Sequence, residues 1–184
     1  MIKRYSLNQM ESVWSDQNRY QKWLDVEIAV CEAWCFYGFI PKTSVKNIKR
    51  KAKFSVKRIE SIEKVIKHDV VAFTTNLAES VGEDSRFIHL GLTSSDVLDT
   101  SLSLLIVESG TLIKLEVDKL IKTLIKMSKK YIKTPIIGRS HGIHAEVTTF
   151  GLVIANWLDE IKRARKRLEN SIRLCSVGKI SGAV

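Results

Sequence analysis

Apolar residues recur at helical spacing along most of this 184-residue chain. Between Tyr20 and Cys35 they follow one another in steps of three and four, the repeat that places side chains on one face of an α-helix. We predict an amphipathic helix here, capped by Asp16 and ended by Gly38 and Pro41. Its apolar stripe consists of Tyr20, Leu24, Ile28, Cys31 and Cys35, widened by Trp23 and Trp34.

Two shorter helices are predicted after this one. The first opens near Ser55 and turns Ile59, Ile62 and Ile66 inward. The second carries Val70, Phe73, Thr74, Leu77 and Val81, and Gly82 ends it. Three short helices of this kind predict a small helical N-terminal domain, residues 1–92.

The next pattern is much longer. From Ser94 to Lys133 a single apolar stripe runs for about 40 residues, or about 60 Å of helix, weakened only at Ser109-Gly110 and ended by Thr134-Pro135. We expect a glycine-bearing connection over 136–144 and a second long helix from Glu146 to about Arg173. With no strong β alternation, the predicted fold class is all-α: the small N-terminal domain, then residues 93–184 as the first long antiparallel helices of an elongated bundle. Two such helices leave an apolar face that further chain or other subunits must cover.

Charge and cysteine content narrow the function classes. The formal net charge is +10, and residues 42–58 hold eight cations and no acid. Such a charge indicates a solvated basic face or, alternatively, a surface that draws small polyanions into a cleft or a nucleic-acid-binding module. The three cysteines form no C-x-x-C pair, and His141 and His144 lack a further ligand at metal-binding spacing, so we expect neither a disulfide framework nor a metal site. No cofactor is expected. No apolar run approaches the roughly 20 residues of a membrane span and no secretory signal is found, which predicts a cytoplasmic protein that binds no membrane.

Four polar clusters interrupt the helical pattern: residues 4–6, 67–69, 91–96 and 138–146. Thr93 and Ser94 precede the longest helix, where hydroxyls and first-turn amides bind a carboxylate or simply cap the helix. His141 lies between Ser140 and Gly142, outside any apolar periodicity, and a histidine exchanges protons near neutral pH, which suits a general acid. For His89 a structural role is favoured, while His68 beside Asp69 fits a surface ion pair or a site equally well.

Taken together, these segments resemble adenylosuccinate lyase of the bacterial type, within the fumarase and aspartase superfamily. The resemblance is carried by Arg4-Tyr5-Ser6, Lys67-His68-Asp69-Val70, the run Phe87 to Asp96, the run Gly138 to Ala145 and the final run Gly178 to Val184. The resemblance extends over the whole chain, which corresponds to the N-terminal portion of such an enzyme. It implies release of fumarate by β-elimination from adenylosuccinate, giving AMP, and from the succinylated aminoimidazole carboxamide ribotide, in purine nucleotide biosynthesis.

The resemblance also implies site residues and partners. His141 would be the general acid, Thr93 and Ser94 would bind the succinyl carboxylate, and Arg4 and Tyr5 would hold the substrate phosphate. Lys67, His68 and Asp69 would line the purine and phosphate side, and Ser140 would be a further substrate-binding residue. The small-molecule substrate is a purine nucleotide, the family assembles as homotetramers, and no nucleic acid partner is implied.

One departure from the family is large. The family's catalytic base is a serine within a Ser-Ser-x-Met-Pro-x-Lys-x-Asn signature, which this sequence does not contain. We therefore expect no lyase activity from this chain alone. The rival interpretations are another lyase of the same superfamily, a basic helical nucleic-acid-binding module, and a chain that acts only in assembly.

Overall fold

The computed structural model describes residues 2–182, apart from the side chain of Lys3. Its helices are α1 (Asn8–Val13), α2 (Asp16–Phe36), α3 (Lys42–Lys51), α4 (Val56–Ile66), α5 (Asp69–Val81), α6 (Ser94–Lys130) and α7 (Phe150–Cys175). Short 3-10 helices span Lys3–Tyr5 and Gly82–Phe87, and strands β1 (Pro135–Ser140) and β2 (Ile143–Thr149) form a hairpin. The predicted all-α class is confirmed, with this hairpin as a local exception.

Two compact units make up the chain. The described part of the first comprises residues 2–106 and 176–182, and the second is Val107–Cys175. The predicted domain boundary after residue 92 stays a prediction, because units defined by spatial contact do not test it. The tail after α7 therefore belongs to the first unit although 69 residues separate it from the rest of that unit.

The core of the first unit is built on the predicted stripe of α2. Tyr20, Leu24 and Cys31 are buried there, and the ring of Phe73 from α5 stacks on Tyr20 with centroids 5.7 Å apart. The ring of Trp23 meets Phe73 edge-on at 5.4 Å. Ile28 and Cys35 are partly buried against the same core. Aromatic pairs of this geometry add to the free energy of apolar burial, so α2 and α5 form the center of this unit.

Several predicted boundaries need correction. Ser15, not Asp16, caps α2, since its Oγ accepts the backbone N–H of Asn18 at 3.2 Å. The apolar spacing did not predict helices α1 and α3. Helix α3 buries only Ser44, Val45 and Ile48, and its other positions are mostly basic. Pro41 serves as the N-cap residue of α3, so it marks a helix start as well as a stop. The ends at Gly38 and Gly82 are confirmed, both with positive φ, which glycine adopts without strain.

In the second unit α6 and α7 run antiparallel. Lys114 of α6 contacts Glu169 of α7, and Asp118 of α6 contacts Arg165 of α7. Residue numbers therefore increase along α6 in the direction in which they decrease along α7. The long helix has 37 residues, or about 55 Å, and passes through Ser109-Gly110 without a break. Apolar side chains of both helices stay exposed in the described structure, as the incomplete bundle predicts: Ile113, Leu115, Leu120, Leu152 and Trp157.

The connection between α6 and α7 is a β-hairpin, where the sequence predicted a loop and then helix from Glu146. Residues 143–149 are extended, so α7 begins at Phe150. The turn residues His141 and Gly142 both have positive φ, 51° and 76°, which is the type I′ geometry of two-residue hairpins. Opposite Gly138 the register slips by one residue, so two residues of β2 face one of β1. Because of this bulge and the mixed polarity of the strands, apolar and polar residues do not alternate regularly here, so the sequence pattern did not predict the hairpin.

Candidate functional site

The turn before α6 is the most elaborately bonded of the four clusters. Asp96 is fully buried, and its two carboxylate oxygens accept hydrogen bonds from both sides. Oδ2 accepts the backbone N–H of Thr93 at 2.9 Å and of Gly182 at 3.0 Å. Oδ1 accepts the N–H of Ser181 at 2.9 Å and the ammonium of Lys179 at 2.8 Å. The Thr93-x-x-Asp96 spacing is that of a capping box, here shared with the tail.

The pKa of Asp96 follows from these contacts. Burial by itself would raise the pKa of this carboxyl, because it disfavours the charged form. Hydrogen bonds from the Lys179 ammonium and from the amides of Thr93, Ser181 and Gly182 outweigh that effect and hold the pKa well below its usual range. Asp96 is therefore a carboxylate at neutral pH, and its role is to organise the turn.

Thr93 and Ser94 are positioned for a ligand by the start of α6. Both are partly buried, and α6 begins at Ser94. Among the described residues no hydrogen bond is found for either hydroxyl, whereas the Thr93 amide is taken by Asp96. The positive end of a helix dipole and two hydroxyls without internal partners suit an anionic group such as a carboxylate.

The loop that leads into this turn is fixed by a buried acid. Glu27 of α2 is 1% exposed, and its Oε2 accepts the backbone N–H of His89 at 2.8 Å. Its Oε1 lies 2.6 Å from His89 Nδ1. The hydrogen bond to Glu27 raises the pKa of His89, and burial offsets part of that rise. His89 has φ of 66°, so the pair holds a left-handed residue in place and agrees with the structural role predicted from the sequence.

The cluster at residues 67–69 joins α4 to α5. Lys67 ends α4 in the left-handed conformation, with φ of 58°, and is exposed. His68 is the N-cap of α5, and its Nδ1 accepts the N–H of Val71 at 3.4 Å. An imidazole that accepts at Nδ1 carries its proton on Nε2, which is then available to donate to a ligand. Asp69 Oδ1 accepts the N–H of Val70 at 2.7 Å and lies 3.5 Å from His68 Nδ1.

Arg4 and Tyr5 lie in the first 3-10 helix. The Arg4 guanidinium carbon is 4.8 Å from the center of the Tyr5 ring, and both side chains are exposed. Within the described part of the first unit, no hydrogen bond or ion pair joins this cluster to residues 67–69 or to the turn at Thr93. The structure thus describes three local arrangements in this unit, and their convergence on one ligand stays a prediction.

Ser140 and His141 lie at the tip of the β-hairpin in the second unit. Ser140 pairs with Ile143 to close the strands, and both Ser140 and His141 are exposed. Because the turn forces a positive φ on His141, its side chain is presented by a short, geometrically defined loop. An exposed imidazole on such a turn is accessible for proton transfer to a ligand.

Sequence reasoning missed Glu27 and Lys179 as organisers of the turn before α6. The capping-box spacing from Thr93 to Asp96 was the one local signal, but it does not show which distant groups meet the carboxylate. No group of three or more histidine, cysteine or acidic side chains able to hold a metal occurs among residues 2–182. None of the helices over the same range combines the length and the apolar composition that a membrane span requires.

Residues 4–184 match the protein family described as "Lyase". The chain belongs to this lyase family. It is 52% identical over its full length to adenylosuccinate lyase of Synechocystis sp., of which it spans 43%. That likeness confirms the resemblance found from the motifs.

Two solved structures share the fold of this chain. Fumarate lyase from Mesorhizobium sp. BNC1 superposes with a TM-score of 0.90 at 27% identity, over 96% of this chain and 42% of that one. The 3-carboxy-cis,cis-muconate lactonizing enzyme from Pseudomonas putida gives 0.89 at 28% identity, over 97% and 42%. The chain thus spans less than half the length of the relatives it matches.

Proposed function

We propose that this chain forms the N-terminal portion of an adenylosuccinate lyase, an enzyme of purine nucleotide biosynthesis. Such an enzyme releases fumarate from adenylosuccinate, giving AMP, and from the succinylated aminoimidazole carboxamide ribotide. The observation that carries the proposal is the 52% identity to the Synechocystis adenylosuccinate lyase, sustained over all 184 residues. The solved fumarate lyase and the solved muconate lactonizing enzyme are only 27% and 28% identical to this chain.

The reaction is a β-elimination. A base removes a proton from the carbon next to the distal carboxylate, and the electron pair moves into that carboxylate as an aci-carboxylate intermediate. The electron pair then forms the double bond of fumarate as the C–N bond breaks, and an acid protonates the departing nitrogen. His141 is proposed as that acid, because its imidazole is exposed on a defined turn and histidine is the side chain most often used as a general acid.

Thr93 and Ser94 are proposed to bind the succinyl carboxylate. Their hydroxyls lack internal partners in the described structure, and they stand at the positive end of a 37-residue helix. A carboxylate at this position gains charge-assisted hydrogen bonds and a favourable interaction with the helix dipole. Ser140, next to the proposed acid, is assigned to the same substrate.

Lys67, His68, Asp69, Arg4 and Tyr5 are proposed for the purine and phosphate side. Lys67 and Arg4 are exposed cations suited to a phosphate, and the Nε2–H of His68 is a free donor in the neutral tautomer. Tyr5, already in contact with the Arg4 guanidinium, offers a ring face and a hydroxyl. The convergence of these groups in one pocket is part of the proposal.

The proposal extends to assembly, activity and location. Exposed apolar side chains along α6 and α7 support association into the homotetramer implied by the resemblance. Because the sequence lacks the serine signature of the base, the 184-residue chain by itself is proposed to be inactive. A cytoplasmic location and a purine nucleotide substrate, with no nucleic acid or membrane partner, complete the assignment.

A chimera tests the function directly. This chain replaces the stretch of the Synechocystis adenylosuccinate lyase that it matches, and fumarate release from adenylosuccinate is followed by ultraviolet absorbance. We expect the chimera to be active and the H141N chimera to lose activity by at least about 100-fold, the usual contribution of a general acid. The unaltered Synechocystis enzyme and the isolated chain are the positive and negative controls.

Two outcomes would reject the assignment. A folded chimera that cleaves argininosuccinate or hydrates fumarate, but not adenylosuccinate, would favour another lyase of the superfamily. Tight polynucleotide binding by the isolated chain, lost steeply as salt rises, would favour the basic module instead.

A further inference from the structure

The tail after α7 crosses the start of α6 and is hydrogen-bonded there at Lys179, Ser181 and Gly182. Thr100 Oγ1 accepts the N–H of Lys179 at 2.9 Å and donates to its carbonyl at 3.1 Å. Ser181 and Gly182 donate their backbone N–H groups to the Asp96 carboxylate, as described above. The tail is therefore docked through both its backbone and the side chain of Lys179.

The Lys179 ammonium is saturated by internal acceptors. Its Nζ lies 2.7 Å from Ser95 Oγ, 2.8 Å from Asp96 Oδ1 and 2.8 Å from Ser181 Oγ. An ammonium has three N–H donors, so each acceptor takes one. Although Lys179 is partly exposed, it has no donor left for a ligand and acts on the turn rather than on substrate.

The positive charge of Lys179 affects how well Thr93 and Ser94 can bind an anion. Asp96 is buried and its Oδ2 accepts the Thr93 amide, so an unneutralised carboxylate there would repel an anion bound at Thr93 and Ser94 through a medium of low dielectric. The ammonium at 2.8 Å cancels that charge. It also binds the hydroxyl oxygen of Ser95, which leaves the Ser95 O–H to donate elsewhere.

We propose that Lys179 is a positioning residue for the carboxylate site: through Asp96 and Ser95 it fixes and neutralises the turn on which Thr93 and Ser94 receive the substrate. This rests on the proposed function for the identity of the ligand. The coupling between Lys179 and the turn before α6 does not depend on the proposed function, because it is a property of the described contacts. The docked tail thus belongs to the binding apparatus although it touches no substrate.

The test uses the 184-residue chain and the variants K179M, K179R and K162M. Hydrogen exchange of backbone amides by NMR measures the coupling, and fumarate, a small dicarboxylate, is the probe for binding through the amide shifts of Ser94 and Ser95. In K179M we expect the amides of Thr93, Ser181 and Gly182 to exchange at least about tenfold faster, with α5 unchanged. K179R, which keeps the charge and donors, should stay within about threefold of the original chain, as should K162M, an exposed lysine of α7.

Fumarate binding should weaken at least about tenfold in K179M and recover in K179R. Unchanged exchange at Thr93 in folded K179M, or equal fumarate affinity in K179M and the original chain, overturns the proposal. If fumarate shifts no amide even in the original chain, the carboxylate assignment fails, while the exchange rates still decide the coupling.

Should K179M fail to fold, the double variant K179M/D96N removes both charges. Recovery of folding there supports the pairing, since an unpaired buried charge is what destabilises the single variant, and failure to recover contradicts it.

Discussion

A Cβ atom placed on Gly110 of α6 would lie 2.6 Å from Cγ1 of Ile172 on α7. The glycine that weakens the helical pattern in the sequence thus leaves the space that Ile172 of the second helix occupies. Helix propensity alone would make Gly110→Ala stabilising by about 1 kcal/mol. The missing space reverses that expectation.

We predict that G110A lowers the free energy of unfolding by about 1–3 kcal/mol, the usual cost of overpacking. In an I172A background the obstructing atoms are gone, and G110A should become neutral or stabilising. Urea unfolding of the four chains of this cycle measures the difference. Additive effects of G110A and I172A would contradict the packing explanation.

Gly151 should tolerate alanine even less. Its Cβ would meet backbone atoms, the Ser128 carbonyl oxygen and the Ile132 Cα, both at 2.6 Å. Because backbone yields less readily than a side chain, we expect G151A to lower the unfolding free energy by more than G110A, about 3 kcal/mol or more. Equal stability of the two variants under urea would show that the contact relaxes at little cost.

The Glu27–His89 pair predicts a pH dependence. Its hydrogen bond raises the folded-state pKa of His89 above the unfolded value of about 6.5. The resulting stabilisation is therefore fully present below pH 6.5 or so, and is lost as the pH rises through the higher folded-state value. Unfolding free energies measured at a series of pH values should fall across that window. In H89N, where asparagine tolerates the positive φ, this fall should be absent, and an identical pH profile would contradict the assignment.

Removal of Glu27 should damage the same loop. E27A leaves the backbone N–H of His89 without its acceptor, at a cost of about 1–3 kcal/mol for an unsatisfied buried group. The neighbouring exposed acid gives a matched control, and D25A should change stability by less than about 0.5 kcal/mol. Thermal unfolding of both variants is the measurement, and similar losses in the two would argue against a special role for Glu27.

Ser15 and Asp16 can be told apart as caps. Since Ser15 Oγ accepts the Asn18 amide, S15A should cost about 1 kcal/mol of stability. Asp16 lies within the first turn, so D16A should cost less, about 0.3–1 kcal/mol from the helix dipole, and that loss should shrink as salt is added. Chemical unfolding at low and high salt separates the two, and a larger loss for D16A would restore the original prediction.

Repeating apolar spacing predicts the parts of this fold that bury continuous stripes. The stripe from Tyr20 to Cys35 is of this kind, because burial on one face dictates residue type at every turn. The long stripe after Ser94 predicts its helix by the same spacing, although Leu102 and Leu120 on it are exposed in the described structure. Helix α3 has too few buried positions to show a period. The hairpin at His141 depends on turn geometry and a bulge, which leave almost no trace in alternation.

The candidate site likewise contains some residues that the sequence indicates and some contacts that it does not. Polar residues at helix ends, such as Thr93 and His68, stand out locally because caps and ligands use the same residue types. The partners of Asp96 do not, since Lys179 and Gly182 lie more than 80 residues further along the chain. Contacts of that sequence separation are set by tertiary packing, and spacing arguments have no access to them.

The docked tail also has a consequence for biosynthesis. Domains tend to fold from the N-terminus as the ribosome releases them. Lys179, Ser181 and Gly182 are synthesised more than 80 residues after Asp96, so until the tail has been made the Asp96 carboxylate lacks the donors that the tail supplies. The start of α6 therefore emerges from the ribosome unfinished, and the turn that carries Thr93 and Ser94 matures only after the tail has been synthesised.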